Sequence, residues 1–188
     1  MDRSSNVAEV QRSERDAVPD SVLRLGKYTV KMVSLSWPKV LLLWHRLKRY
    51  RSLFSDLTRG DVDNFIRYIS SRDTFWLEVW STTEFVGVVV LENMHKVVDV
   101  DAHVLFVDKD MAGKVPVSQE IIKWVFNHFP LQRMTVEIPT WYHTTIRFVR
   151  DLGFKQEGKK RQAVLIGGKW SDIYIFGMTR SEAAKCRS

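Results

Sequence analysis

Apolar residues recur along the first third of this chain at two spacings, which predict a strand followed by two helices. The alternation over residues 28–36 is typical of a strand. A helix is expected to begin near Pro38, because proline suits the first turn of a helix, and a second helix is expected to begin near Asp61. The apolar positions that define these elements are Tyr28, Val30 and Met32, then Val40, Leu43, Trp44 and Leu47, and then Phe65, Ile66 and Ile69.

The rest of the chain changes between strand and helix periods. Its middle part is rich in Val, Phe and Trp, and turn-prone residues separate the apolar runs, which predicts a meander of antiparallel strands. Helical spacing returns after Pro116 and again before Gly153, which is expected to cap the end of its helix. In chain order the predicted elements are strands over 74–82, 84–95 and 97–108, a helix over 116–129, a strand over 131–139, a helix over 142–152, and two strands that meet at Gly167 and Gly168.

This order predicts an α+β fold in which helices flank a mixed sheet. The chain has 188 residues, of which 45% are hydrophobic, and this suffices for the core of one domain. Residues 1–24 mix charges with Ser and Asn and lack a sustained apolar period, so we expect a flexible N-terminal arm there. A single domain is then expected over residues 25–182, followed by a C-terminal tail over residues 183–188.

The charge and the cysteine content narrow the class of protein. Lys and Arg number 29 against 22 for Asp and Glu, and the net charge of +7 favours acidic partners such as nucleic acid, CoA phosphates or an acidic protein face. The single cysteine, Cys186, excludes an internal disulfide and a Cys-based zinc cluster, so a cytoplasmic setting is expected. The histidines show no metal-ligand spacing, and no signal peptide or membrane span is apparent, so we expect no metal and no membrane association.

The C-terminal part of the sequence carries a specific pattern of residues. A helix ends in Leu-Gly-Phe, Glu-Gly precedes a pair of strands, and the last strand ends in Gly-Met and Arg-x-Glu. The residues are Leu152, Gly153, Phe154, Glu157, Gly158, Gly168, Asp172, Tyr174, Gly177, Met178, Arg180 and Glu182. With the element order over residues 28–182, this pattern resembles the GNAT acyltransferases, especially the branch of the ribosomal-protein alanine acetyltransferases. Within that branch the chain looks most like GNAT-like proteins encoded in tailed-phage genomes.

The resemblance implies a mostly antiparallel sheet with a splay between its fourth and fifth strands, here residues 97–108 and 131–139. In this family the pantetheine arm of acetyl-CoA enters the splay and pairs with the backbone of the fourth strand. The loop after that strand and the start of the next helix then bind the pyrophosphate, since free NH groups and the helix dipole favour an anion. The cofactor-binding residues that the resemblance implies are Phe106, Val107, Asp108, Gly113, Lys114 and Tyr142.

The cofactor loop departs from the family pattern. Only Gly113 matches, since Asp110 stands where a polar or basic residue is usual, Val115 replaces a small residue, and Pro116 has no NH donor. An aspartate about 4 Å from a phosphate would cost on the order of 4 kcal/mol unless Lys114 compensated for it. Outside the loop, Tyr142 replaces a common Asn, and Val149 replaces the Tyr that many members use to protonate the leaving thiolate.

The fourth predicted strand carries the candidate chemistry. Its alternation places Asp99, Asp101 and His103 on one face, where His103 could act as a general base oriented by Asp101. Glu137 in the fifth predicted strand is a second candidate base. The alternative interpretation is that these are ordinary solvated residues of strand faces.

The helix near residue 46 is strongly basic, with Arg46, Lys48, Arg49 and Arg51. It could receive an acidic peptide or nucleic acid, although such a run is also typical of a solvated helix face. Two functions follow. The first is an acetyl-CoA-dependent N-acetyltransferase that acts on an amine of a protein or small molecule. The second is a catalytically lapsed GNAT-fold binding or structural protein, for example a component of a phage particle.

Overall fold

A computed structural model describes residues 21–50, 60–94, 98–107, 112–166 and 168–185. The strands are β1 (Ser21–Leu25), β2 (Tyr28–Met32), β3 (Phe75–Ser81), β4 (Glu84–Glu92), β5 (Asp99–Phe106), β6 (Arg133–Pro139), β7 (Lys155–Ile166) and β8 (Lys169–Thr179). The helices are α1 (Trp37–Leu47), α2 (Val62–Ile69), α3 (Val115–His128), α4 (His143–Asp151) and the short α5 (Arg180–Ala183). A single 3-10 turn, Ala112–Lys114, precedes α3.

The described strands form one sheet of eight strands in the order β1-β2-β3-β4-β5-β6-β8-β7. Neighbouring strands are antiparallel except β5 and β6, which are parallel. This confirms the predicted α+β fold with a mixed, mostly antiparallel sheet. The fourth and fifth strands of the prediction are β5 and β6, because the structure has an additional strand at the start.

That additional strand corrects one predicted boundary. The N-terminal arm was expected to reach residue 24, but β1 begins at Ser21 and pairs with β2. Residues 21–24 therefore belong to the sheet, and residues 1–20 lie outside the described part of the chain. At the other end, Ala183 was assigned to the tail, yet it is buried at the end of α5.

Helices cover both faces of the sheet, and each side has its own hydrophobic cluster. On one side α3 and α4 pack against residues such as Val100 and Ala102 of β5. On the other side α1 and α2 pack against Trp76 of β3 and Val90 of β4. The central strand β4 is apolar on both faces for this reason, and β5 divides the two clusters by alternation.

Single residues explain where α2 begins and where α4 ends. Asp61 caps α2, since its side chain accepts a hydrogen bond of 2.9 Å from the backbone NH of Asn64. Gly153 follows the end of α4 with a φ of 101°, which confirms its predicted capping role. None of the helices in the described ranges is long and apolar enough to cross a membrane.

Candidate active site

The site begins where β5 and β6 separate. The two parallel strands pair at only three positions, from Asp99 opposite Arg133 to Asp101 opposite Thr135. Beyond these, β5 continues to Phe106 beside β4, and β6 continues to Pro139 beside β8, without further pairing between β5 and β6. This confirms the predicted splay, and it leaves the facing backbone edges of both strands open to a ligand.

A cavity of about 440 Å³ lies at the splay. Its walls come from β4, β5, β6, α3, α4 and the β7–β8 hairpin, and they are mostly apolar. The polar and ionisable side chains among the lining residues are His103, Ser118, Glu137, Tyr142 and Thr145. An elongated, mainly apolar ligand with a few polar groups would match this lining.

Ser118 gives the cavity an unused polar group near the start of α3. The residue is 6% exposed, and its hydroxyl oxygen has no hydrogen-bond partner in the part of the chain that the structure describes. A buried hydroxyl without a partner is costly, so a ligand that bonds to it would recover this cost. The sequence did not single out Ser118, because a serine in a helix shows no sign of its burial.

Four of the predicted cofactor residues lie around the end of β5 and the start of α3, namely Phe106, Val107, Gly113 and Lys114. Phe106 is buried, and its ring lies 5.9 Å from that of Phe148. The NH of Val107 donates to Val86 over 2.9 Å, and its carbonyl accepts from the hydroxyl of Tyr50 over 3.0 Å. Gly113 is exposed just before α3. Asp108 and the unusual Asp110 lie outside the described residues.

Lys114 lies in the interior. Its side chain is 1% exposed, and its ammonium nitrogen is 5.4 Å from the centre of the Phe106 ring. The predicted contact between Lys114 and a phosphate would require the side chain to leave this position. Lys114, which was expected to offset the negative charge of Asp110 near a phosphate, is therefore part of the core packing.

Two residues at and within α4 that differ from the pattern of the resemblance, Tyr142 and Val149, line the cavity. Tyr142 is half-buried at the N-cap position of α4, and its side chain lines the cavity. Val149 is buried in the same lining, where it offers no proton donor.

The three polar residues of β5 share a face, as predicted, while Val100 and Ala102 are buried on the other. Their contacts differ from the prediction, however. The Nε2 atom of His103 lies 3.4 Å from an oxygen of Glu92, and Asp101 accepts a hydrogen bond from Asn93. The expectation that Asp101 orients His103 was therefore wrong.

The antiparallel register explains this correction. Glu92 of β4 stands opposite Asp101, so its side chain is a diagonal neighbour of His103. Glu92 could not be predicted from the sequence, because the partner of a strand residue depends on the register with the next strand.

The remaining acids near the splay are held by cations. Asp99 contacts the Nε atom of Arg133 at 3.3 Å, and Glu137 forms an ion pair with Lys160 of β7. Hydrogen bonding to Glu157, followed by attraction to Asp99, raises the pKa of Arg133 above its ordinary value. Glu137 lines the cavity, and its carboxylate is paired with Lys160 there.

Of the predicted basic run, Arg46 lies in α1, whereas Lys48 and Arg49 follow the last residue of that helix. The guanidinium of Arg46 lies 4.8 Å from the ring centre of Trp80 and 5.0 Å from that of Phe85. Arg49 lies over Tyr50 at 4.9 Å, and Lys48 is exposed. Arg51 lies outside the described residues. A nucleic-acid partner for this helix stays a prediction.

Comparisons with known proteins bear on the fold. No family model matches the chain, and no curated protein sequence matches it. Among solved structures, spermidine N-acetyltransferase from Vibrio cholerae in complex with CoA and spermine is 12% identical with a TM-score of 0.72, over 86% of this chain and all (100%) of that one. Ribosomal-protein-S5-alanine acetyltransferase from Vibrio fischeri is 13% identical with a TM-score of 0.67, over 89% of this chain and 99% of that one. At such low identity, these likenesses establish the fold that is shared.

Proposed function

We propose that this chain, which has the GNAT fold, is an acetyl-CoA-dependent N-acetyltransferase that acts on an amine. The observation that carries the proposal is the splay of β5 and β6 over a cavity of about 440 Å³ with His103 in its wall. An imidazole beside an open strand edge is suited to removing a proton from an ammonium group. The solved structures of similar fold are named as acetyltransferases.

The fit to acetyl-CoA would come from the cavity lining and the start of α3, because the side chain of Lys114 is buried. The apolar walls from α3 and α4 suit a pantetheine arm, and the buried, unpartnered hydroxyl of Ser118 offers it a polar contact. The exposed Gly113 lies just before α3, where the positive end of the helix dipole favours phosphate groups. When bound, acetyl-CoA would supply an activated thioester as the acetyl donor.

The residues of the chain would orient the reacting groups and accept a proton from the acceptor. His103 would accept the proton that an ammonium group must lose before its nitrogen can attack. The apolar walls around the splay would restrict water, which strengthens polar contacts there. Glu137 would line the site while its carboxylate stays paired with Lys160 of β7.

Calorimetric titration with acetyl-CoA is the first test. We expect micromolar binding by the natural chain and loss of at least tenfold in affinity for Gly113→Glu, which places a negative charge at the start of α3. Thr83→Glu adds the same charge in the exposed β3–β4 turn and should bind like the natural chain. Absence of binding at millimolar acetyl-CoA would overturn the proposal and favour the lapsed binding protein.

Acetylation is then measured by mass spectrometry of the acceptor. Spermidine and a peptide with an N-terminal alanine are the first acceptors, because the named neighbours act on amines of these kinds. His103→Ala should lower kcat by about 10²- to 10⁴-fold, the usual contribution of a general base, while acetyl-CoA binding is retained. An unchanged kcat in His103→Ala would remove His103 from this role.

A further inference from the structure

Three side chains, those of Tyr68, Glu92 and His103, contact one another in series next to the splay. The hydroxyl of Tyr68, in α2, donates a hydrogen bond to Oε1 of Glu92, at the end of β4. The other oxygen of Glu92, Oε2, lies 3.4 Å from Nε2 of His103 in β5. Each oxygen of the Glu92 carboxylate thus has its own partner, and His103 is the member that lines the cavity.

The other two acids on this face of β5, Asp99 and Asp101, have partners other than His103. Asp101 is bonded to Asn93, and Asp99 is held by Arg133 and Thr135. Glu92 is the acid that the structure pairs with His103, and its side chain is 20% exposed. A partly buried carboxylate with two partners has little freedom to turn, so it can fix the group that it touches.

We propose that Glu92 is a positioning residue for His103, and that Tyr68 holds Glu92 in place. A neutral imidazole has one nitrogen that donates and one that accepts. An oxygen of Glu92 at 3.4 Å from Nε2 favours the tautomer that carries the proton on Nε2, which leaves the lone pair of His103 on Nδ1. This inference rests on the proposed function, since it assigns Nδ1 as the atom that receives the proton.

In the proposed step, a proton passes from the acceptor ammonium to His103. The N–H bond of the ammonium acceptor breaks, its electron pair stays on the amine nitrogen, and the proton forms a bond to Nδ1 of His103. The imidazole becomes an imidazolium with both nitrogens protonated, and the Glu92 carboxylate beside Nε2–H stabilises that positive charge. Tyr68 keeps its proton throughout, because its role is to fix the carboxylate.

The test combines a spectroscopic and a kinetic measurement on the full chain. Two-bond proton–nitrogen correlation spectra of isotope-labelled histidine show which ring nitrogen of His103 carries the proton. We expect a proton held on Nε2 in the natural chain and a mixture of tautomers in Glu92→Gln. The matched control is Glu84→Gln, an exposed change at the start of the same strand, which should leave the spectrum unchanged.

The kinetic measurement uses acetyl-CoA with whichever acceptor the natural chain acetylates. We expect Glu92→Gln to lower kcat by about 10- to 100-fold, the usual cost of losing a group that orients another, with acetyl-CoA affinity within about twofold. Tyr68→Phe removes one hydroxyl and should lower kcat in the same direction but by less. Thermal unfolding of each variant verifies that it is folded.

The outcomes separate this inference from the proposed function. If Glu92→Gln retains both the natural tautomer and the natural kcat, the positioning role is overturned even though the enzyme is active. If the natural chain acetylates nothing, the proposed function fails. The spectra then still decide whether Glu92 fixes the proton on Nε2.

Discussion

At the scale of single residues, Glu182 joins the last strand, the last helix and β7. One carboxylate oxygen accepts hydrogen bonds of 2.9 Å from both the backbone NH and the hydroxyl of Thr179, and the other lies 2.6 Å from the ammonium of Lys155. The bond from Lys155, and then those from Thr179, lower the pKa of Glu182 from its ordinary value of 4.5 to about 2. The ionised carboxylate is therefore favoured by folding.

This shift predicts a pH-dependent contribution to stability. Because the folded-state pKa lies below the unfolded value, the contribution of Glu182 is complete above about pH 4.5 and is lost as the pH falls towards about 2. Glu182→Gln should reduce the urea midpoint near neutral pH, and the difference from the natural chain should shrink on acidification. Equal differences at neutral pH and at about pH 2.5 would contradict this.

Other residues of the C-terminal pattern also have structural tasks. Asp172 accepts a bond of 2.9 Å from the NH of Gln162, whose φ of 50° marks an irregularity in β7. Arg180 donates to the carbonyl groups of Phe126, Phe129 and Leu131 around the end of α3. These residues fix a hairpin and a helix end, so the C-terminal pattern indicates the fold and not the chemistry of the site.

At the scale of elements, the contact between β4 and β5 depends on Gly87. Gly87 stands opposite Phe106, and a Cβ atom there would lie 2.0 Å from the backbone oxygen of Leu105. A backbone atom cannot move aside without disturbing the strand that forms one arm of the splay.

Gly87→Ala is therefore expected to lower the free energy of unfolding by about 1–3 kcal/mol, the usual range for overpacking, in a urea titration. Gly158→Ala in β7 is the matched control, because its Cβ would meet the nearest atom at an ordinary 3.6 Å. That variant should be within about 0.5 kcal/mol of the natural chain or slightly more stable. Equal costs for the two variants would show that crowding at Leu105 is unimportant.

The elements with strong periods were predictable from the sequence, and the contacts between them were not. Helices such as α3 and the central strands carry long apolar patterns, so their order was predicted correctly. Strand β1 was missed because it directly follows the polar N-terminal stretch and is defined by its pairing with β2. The partner of His103 depends on the register between β4 and β5, and the burial of Lys114 depends on the packing around it. Neither can be predicted from the sequence of one strand or one turn alone.

At the scale of the whole molecule, a ligand in the splay would contact both arms of the sheet and the apolar side chains of α3 and α4 that line the cavity. It would bind the folded chain and not the unfolded one, so it must raise the unfolding temperature. At a concentration of about 100 times its Kd, acetyl-CoA should add about 2.7 kcal/mol. For a chain of this length, that corresponds to about 5–10 °C in Tm.

The thermal shift is measured by calorimetry or dye-based unfolding. Thr83→Glu should show the shift of the natural chain, whereas Gly113→Glu, with an affinity at least tenfold lower, should show about half of that shift or less at the same concentration. A full shift in Gly113→Glu would mean that acetyl-CoA binds elsewhere on the molecule.

The short pairing of β5 and β6 has a consequence for how this protein behaves in a crowded solution. Strand edges with unpaired NH and CO groups normally invite strands from other chains and promote aggregation. Here two such edges face each other inside the sheet, with only three pairs closing their narrow end. A slender ligand can reach them, whereas a second β-strand with its own neighbours cannot. The fold thus keeps an open backbone edge for recognition and shields it from self-association.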